Sequence, residues 1–180
     1  MKILLKDCIC ASFLFSIFSG FAAEFEDPTQ DLRLVGKAQL RVFFWRIYDS
    51  SIYTTSGSYE GVEPGLALKI EYRRAIDGDE FISRTGEEWE KLGLLSDESS
   101  EWLAKLEEFL PSVVRGDVII LKVGDNLESI FHYNFERIGE IKTPQFTRDF
   151  LSIWLSEKSS YPKLQQQLIG RWVISRDLRN

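Results

Sequence analysis

The sequence predicts an α+β fold: an open-faced antiparallel β-sheet with its helices packed on one face. Three observations carry this. Apolar residues recur with period two in the first half of the chain and again between residues 118 and 133. Helical stripes with recognisable start and stop signals fill the intervals. The resulting order is strands, helices, a hairpin, then helices, which separates strands from helices instead of alternating them as a parallel sheet would. With 180 residues and 44% hydrophobic content, the chain can bury the core of one ordinary domain.

Taken in order, Glu24 to Arg33 is a polar lead-in containing Pro28, and Gly36 marks a bulge or a turn. Leu34 to Thr54 (LVGKAQLRVFFWRIYDSSIYT) reads as the central buried strand. Leu40, Val42, Phe44 and Tyr48 fall on one face and Phe43, Trp45 and Ile47 on the other, so both faces need cover. Arg41 and Arg46 interrupt it, either laying their stems on apolar surface with the heads in water or holding an anion in an apolar cavity. Tyr48-Asp49-Ser50-Ser51 reads as a bend, and Ser56 to Gly65 as a loop.

Leu66 to Arg74 is a half-buried strand, with Leu66, Leu68, Ile70 and Tyr72 facing one way and Ala67, Lys69, Glu71 and Arg73 the other. Asp77 with Glu80 opens a helix carrying Phe81, Thr85, Trp89 and Leu92 on one side, and Gly93 closes it. A second helix over Asp97 to Leu110 carries Trp102, Leu103, Leu106, Phe109 and Leu110 on one stripe, and Pro111 stops it. Val118 to Val123 and Ser129 to Tyr133 form a hairpin through Gly124-Asp125-Asn126, followed by a turn or short strand through Ile138 and Ile141. Thr143 and Pro144 start a third helix with Phe146, Phe150, Ile153 and Trp154 buried, and Tyr161-Pro162 starts a fourth that ends at Gly170.

Residues 1–22 have the parts of a cleaved secretory signal. Lys2 and Lys6 form a basic start, Cys8 to Phe18 an apolar run, and Gly20-Phe21-Ala22 a small-x-small site cut near Ala22 or Ala23. Residues 23–180 then form a single domain, periplasmic or secreted, with no integral membrane segment. Cys8 and Cys10 leave with the signal, which removes disulfides and thiol chemistry. A net charge of -6 and a pI near 5.0 argue against a nucleic-acid surface.

The inventory for catalysis is thin. His132 is the only histidine, which excludes a multi-histidine metal site and makes a strand histidine without catalysis the simplest reading. Glu87, Glu88, Glu90, Glu107 and Glu108 fall largely on outward helix faces. No phosphate loop or cofactor motif is present, so no cofactor is expected. The aromatic content of 13% is most simply core, including Phe43, Trp45, Trp89, Trp102 and Trp154.

Several pieces, in this order, resemble the secreted bacterial chalcone isomerase-like proteins. They are Leu34-Val35-Gly36 with Leu40-Arg41-Val42, Trp45-Arg46-Ile47-Tyr48-Asp49 leading to Tyr53, Arg84-Thr85 with Glu88-Trp89, Gly116-Asp117 before VIILKV, FLSIWL (Phe150 to Leu155), and Leu168-Ile169-Gly170. The resemblance implies the same open-faced sheet. It also implies a choice of roles, since plant members of the fold cyclise a chalcone to a flavanone without a cofactor while sister proteins bind fatty acids. Plant catalysis uses an arginine, for which Arg41 is the candidate here, together with threonine, tyrosine and asparagine groups. Phe43 stands in place of the threonine, and Phe81 and Glu88 in place of tyrosine and asparagine. Losing those hydrogen bonds, each worth ~2–4 kcal/mol of transition-state stabilisation, argues against chalcone isomerase activity.

The sequence therefore points to an exported, non-catalytic module binding a fatty acid or another small amphipathic ligand, with Arg41, Phe43, Trp45, Tyr48 and Tyr72 as the ligand-binding candidates. Arg41 would hold the carboxylate. Two alternatives stand beside it. One is a cofactor-free isomerase or lyase acting on a small anionic or phenolic compound; the other is a periplasmic scaffold or assembly factor with an unknown protein partner.

Overall fold

The structure is a computed structural model and describes residues 26–171. The expected signal segment with Cys8 and Cys10 and the tail beyond Arg171, including Trp172 and Ile174, lie outside the described residues. Six strands, β1 (Arg33–Val42), β2 (Trp45–Thr54), β3 (Ala67–Tyr72), β4 (Val118–Val123), β5 (Ser129–Tyr133) and β6 (Glu136–Ile141), form one sheet in sequence order. Every neighbouring pair is antiparallel. Helices α1 (Gly78–Leu92) and α2 (Asp97–Phe109) are inserted between β3 and β4, and α3 (Pro144–Leu155) and α4 (Pro162–Leu168) follow β6. This is the α+β arrangement expected, an open sheet with helices on one face.

The sheet is apolar on the helix side. Leu40, Ile52, Leu68, Ile70, Leu121 and Phe131 share one core with Trp89, Trp102, Phe146 and Phe150 from the helices. Trp89 meets Trp102 and Phe146 edge-on at ring distances of 6.0 and 6.1 Å. Such pairs contribute about 0.5–1.5 kcal/mol each beyond the area they bury. The Trp89 indole N–H donates to the Asp149 carbonyl at 3.0 Å, so the one polar atom of this buried ring is satisfied and ties α1 to α3.

The stretch expected to be one central strand is instead a hairpin at the sheet edge. Val42 pairs with Trp45, and Phe43-Phe44 form its two-residue turn. Phe43 and Phe44 are 91% and 97% exposed and Trp45 71%, so these aromatics are not core, while Trp89, Trp102 and Trp154 are. Tyr48-Asp49-Ser50-Ser51 is no bend but the middle of β2. Nor is the strand doubly apolar, because its outward face is a polar lattice. Asp49 accepts from Gln39 Nε2 at 2.6 Å, Arg73 Nε at 2.8 Å and Arg46 Nη2 at 3.0 Å, joining β1, β2 and the end of β3. Burial acts to raise the Asp49 carboxyl, but these hydrogen bonds outweigh it and hold its pKa below the ordinary value.

The remaining elements follow their local signals. Gly93 takes φ 71° and its N–H caps the Glu90 carbonyl, ending α1. Asn134 and Phe135, with φ 47° and 74°, make the tight turn between β5 and β6, both central residues lying in the left-handed region as such hairpins require. Gly36 adjoins a register shift in β1, as its glycine suggested, and has a second role. A Cβ there would lie 2.1 Å from the Gln167 carbonyl oxygen and 2.6 Å from that of Leu168, because the last turn of α4 rests directly on β1. We expect Gly36→Ala to force α4 away from the strand and cost about 1–3 kcal/mol, read as a lower midpoint in urea unfolding. An unchanged midpoint would contradict this close approach.

Candidate functional site

Helix cover is incomplete over the β1–β3 end of the sheet, leaving a cavity of about 370 Å³. That size is within the ~300–1,000 Å³ typical of small-molecule sites. Its floor is apolar: Leu40 from β1, Ile47 from β2, Ile76 after β3, Phe81 from α1, and Ile153 and Trp154 from α3. Exposed charged side chains, Arg74, Glu80, Arg84 and Lys91, stand at its rim.

A β-bulge shapes the strand side. Leu40 pairs with Tyr48 but Arg41 with Arg46, leaving Ile47 extra on β2. A bulge sets two residues of one strand against one of its partner and re-aims their side chains, and here the neighbours Ile47 and Tyr48 both line the cavity. On α1, Phe81, Arg84, Thr85, Glu88 and Lys91 are spaced as one helical stripe facing the same space.

Inside, the polar groups are few and specific. The Trp154 indole N–H donates to the Tyr48 hydroxyl oxygen at 2.9 Å, which leaves the Tyr48 proton available. The Tyr72 ring meets Tyr48 edge-on at 6.2 Å, and among the described residues its hydroxyl has no hydrogen-bond partner. Burial pushes both phenols far above their ordinary pKa, so both stay neutral donors across the physiological range. Glu88, although on a helix face expected to be outward, is 8% exposed. One of its oxygens accepts from Lys91 Nζ at 2.8 Å and the other from Ser160 Oγ at 2.6 Å. Arg84 pairs with Glu87 at 2.7 Å, whereas Arg74 makes no ion pair among the described residues.

Of the candidates named from sequence, the structure brings Trp45, Tyr48 and Tyr72 to the cavity wall. Arg41 and Phe43 do not line it. Arg41 turns outward and its Nε donates to Gln39 Oε1 at 2.5 Å, joining the lattice around Asp49, while Phe43 sits in the exposed hairpin turn. Arg74 was missed, yet it extends the Leu68, Ile70, Tyr72 alternation by one step. His132 lies in β5, and its Nδ1 is buried without a hydrogen-bond partner. Burial and the charges of Arg137 and Lys122 lower its pKa.

With this geometry in view, comparison with known proteins places the chain. A family model described as chalcone isomerase-like matches residues 21–170. The chain belongs to the chalcone isomerase-like family. A curated relative, an uncharacterized protein of Haemophilus influenzae, is 25% identical over 138 residues, covering 76% of this chain and 67% of that protein. Among solved structures, a fatty-acid binding protein of Arabidopsis thaliana superposes with a TM-score of 0.60 at 12% identity, covering 78% of this chain and 88% of that one. At that identity the likeness is one of chalcone isomerase-like fold.

The phenols of buried Tyr72 and partly buried Tyr48 set a pH dependence. A proton held more tightly in the folded than the unfolded chain contributes stability that is fully present below the unfolded value, about 10, and is lost as pH rises beyond it. Urea unfolding should therefore show stability falling above about pH 10. The fall should be shallower in a Tyr48→Phe, Tyr72→Phe double variant, and parallel curves would show that these phenols do not carry the effect.

Proposed function

We propose that this chain is an exported, non-catalytic binding protein that takes one fatty acid, or a similar small amphipathic molecule, into the cavity between the β1–β3 end of the sheet and α1 and α3. The apolar tail lies on Leu40, Ile47, Phe81, Ile153 and Trp154, and the anionic head is held by Arg74 with help from Tyr72. The observation that carries this reading is the pairing of an apolar cavity with two phenol protons that have no protein acceptor among the described residues, those of Tyr72 and Tyr48, beside a rim cation, Arg74, that makes no ion pair and whose Nε donates only to the Ala75 carbonyl at 3.3 Å. A carboxylate bound in the cavity supplies acceptors to these phenols and a counter-charge to the exposed Arg74.

The state of Glu88 supports a binding role over an isomerase. Both its oxygens are already engaged, by Lys91 and Ser160, so it is poorly placed to remove a proton from a substrate. The shared fold with a plant fatty-acid binding protein agrees with this reading. The basic start, apolar run and small-x-small site of the first residues support export.

Titration with a long-chain fatty acid, followed by calorimetry, tests the assignment. A hydrogen bond to a charged group is worth about 1.5–3 kcal/mol, so Arg74→Ala should weaken binding by about tenfold to a hundredfold. Arg41→Ala should leave binding unchanged. Equal binding by the parent and Arg74→Ala would remove Arg74 from the role, and no binding by the parent would remove the fatty acid.

A further inference from the structure

The hairpin between β1 and β2 carries an exposed aromatic tip that the cavity does not explain. Val42, Phe43, Phe44 and Trp45 stand 41%, 91%, 97% and 71% exposed, an unbroken apolar run in water. Phe43 takes φ 53° and is the only one of the two turn residues with positive φ, a place where tight hairpins favour glycine. Phe135 in the β5–β6 turn is also an aromatic at positive φ, but its ring packs under the Lys69 ammonium at 5.0 Å, whereas the Phe43 ring stands bare, and strain kept at a side chain that packs on nothing points to function and not to folding.

The charges around the tip are selective. Behind the tip stand Arg41, Arg46, Arg73 and Arg74 against two acidic residues, Asp49, which pairs with Arg46 and Arg73, and Glu71, which pairs with Arg73, so this end carries two positive charges in excess although the net charge of the chain is -6. Arg73 joins the same end through its N–H to the Ile47 carbonyl at 2.8 Å, and Arg74 follows it. Among the described residues Arg41 and Arg74 make no ion pair. Bare aromatics on a protruding tip with arginines behind them match the requirements of a bilayer surface, where rings enter the interface and cations meet anionic head groups. Three rings bury roughly 450–750 Å² between them, below the approximately 800 Å² per partner of a stable protein interface.

The geometry points to the β1–β2 tip as a membrane-docking element that inserts Phe43, Phe44 and Trp45 into the surface of an anionic bilayer. Docking of the tip does not depend on what the cavity holds. Val42 and Trp45 also line the cavity, so a docked tip would set the cavity mouth against the lipid. That consequence rests on the proposed binding role, whereas the docking can be tested without any cavity ligand.

The test is flotation of the full chain with vesicles of phosphatidylglycerol and phosphatidylcholine in equal parts, compared with vesicles of phosphatidylcholine alone. Parent and variants carry the same first 25 residues, so differences between them belong to the tip. A Phe43→Gly, Phe44→Ser, Trp45→Ser variant should lose at least about tenfold in partitioning, since each buried ring is worth that much. Phe43→Gly alone should keep or raise the thermal midpoint while lowering partitioning, a pair of changes that a purely structural role would not produce. Arg41→Gln with Arg46→Gln should erase the preference for anionic vesicles. Equal partitioning by parent and tip variants overturns the proposal. So does a lipid-free dimer of the parent, seen by sedimentation velocity and absent in the triple variant, because a second copy would then cover the tip.

Discussion

The helix side is the main apolar face of the sheet, and the cavity follows from how the helices that cover it are distributed. The aromatic cluster of Trp89, Trp102, Phe146 and Phe150 seals the sheet around Phe131, and α4 closes on β1 through Gly36. Between these two seals the cover thins, and the inward face of β1, β2 and β3 meets α1 across a gap instead of in contact. The cavity is therefore a consequence of where the helices dock. Its walls are ordinary core residues; its polar groups are Tyr48 and Tyr72, which reach it from strand positions fixed by the sheet, and Arg74, which stands at the rim just past the end of β3.

The outward face works in support of that arrangement. The lattice around Asp49 draws side chains from β1, β2 and the end of β3 into one set of hydrogen bonds, bracing the base of the hairpin. Arg41 is spent there. A strand can hold a cation for a ligand on only one face, and the residue that faces the cavity at this end is two steps beyond Tyr72, not between Leu40 and Val42. The bulge at Ile47 then twists the hairpin beyond the body of the sheet, so its turn projects bare aromatics.

Much of the fold was legible because local and global signals agreed. The alternation through Leu68, Ile70 and Tyr72, the glycine stop at Gly93, Thr143-Pro144 at the start of α3 and the β4–β5 hairpin all held in place. The stretch from Leu34 to Thr54 was misread because its turn is Phe43-Phe44, which carries no glycine, asparagine or proline to mark it. Period two ran through the turn unbroken, and exposed aromatics counted as core. Tyr48 and Tyr72, named from their strands, do line the cavity. Arg74 was not, since it lies just past the last paired residue, and Glu88 was hidden among charged neighbours on a helix whose cavity-facing stripe is itself partly polar.

Whether the cavity holds one amphipathic molecule can be read by native mass spectrometry of the protein as purified, then after incubation with a long-chain fatty acid. The expected spectrum shows a single adduct, one molecule per chain, that disappears on denaturation and is identified as an amphipathic acid by extraction. A protein that carries nothing and stays bare after incubation would contradict the binding role.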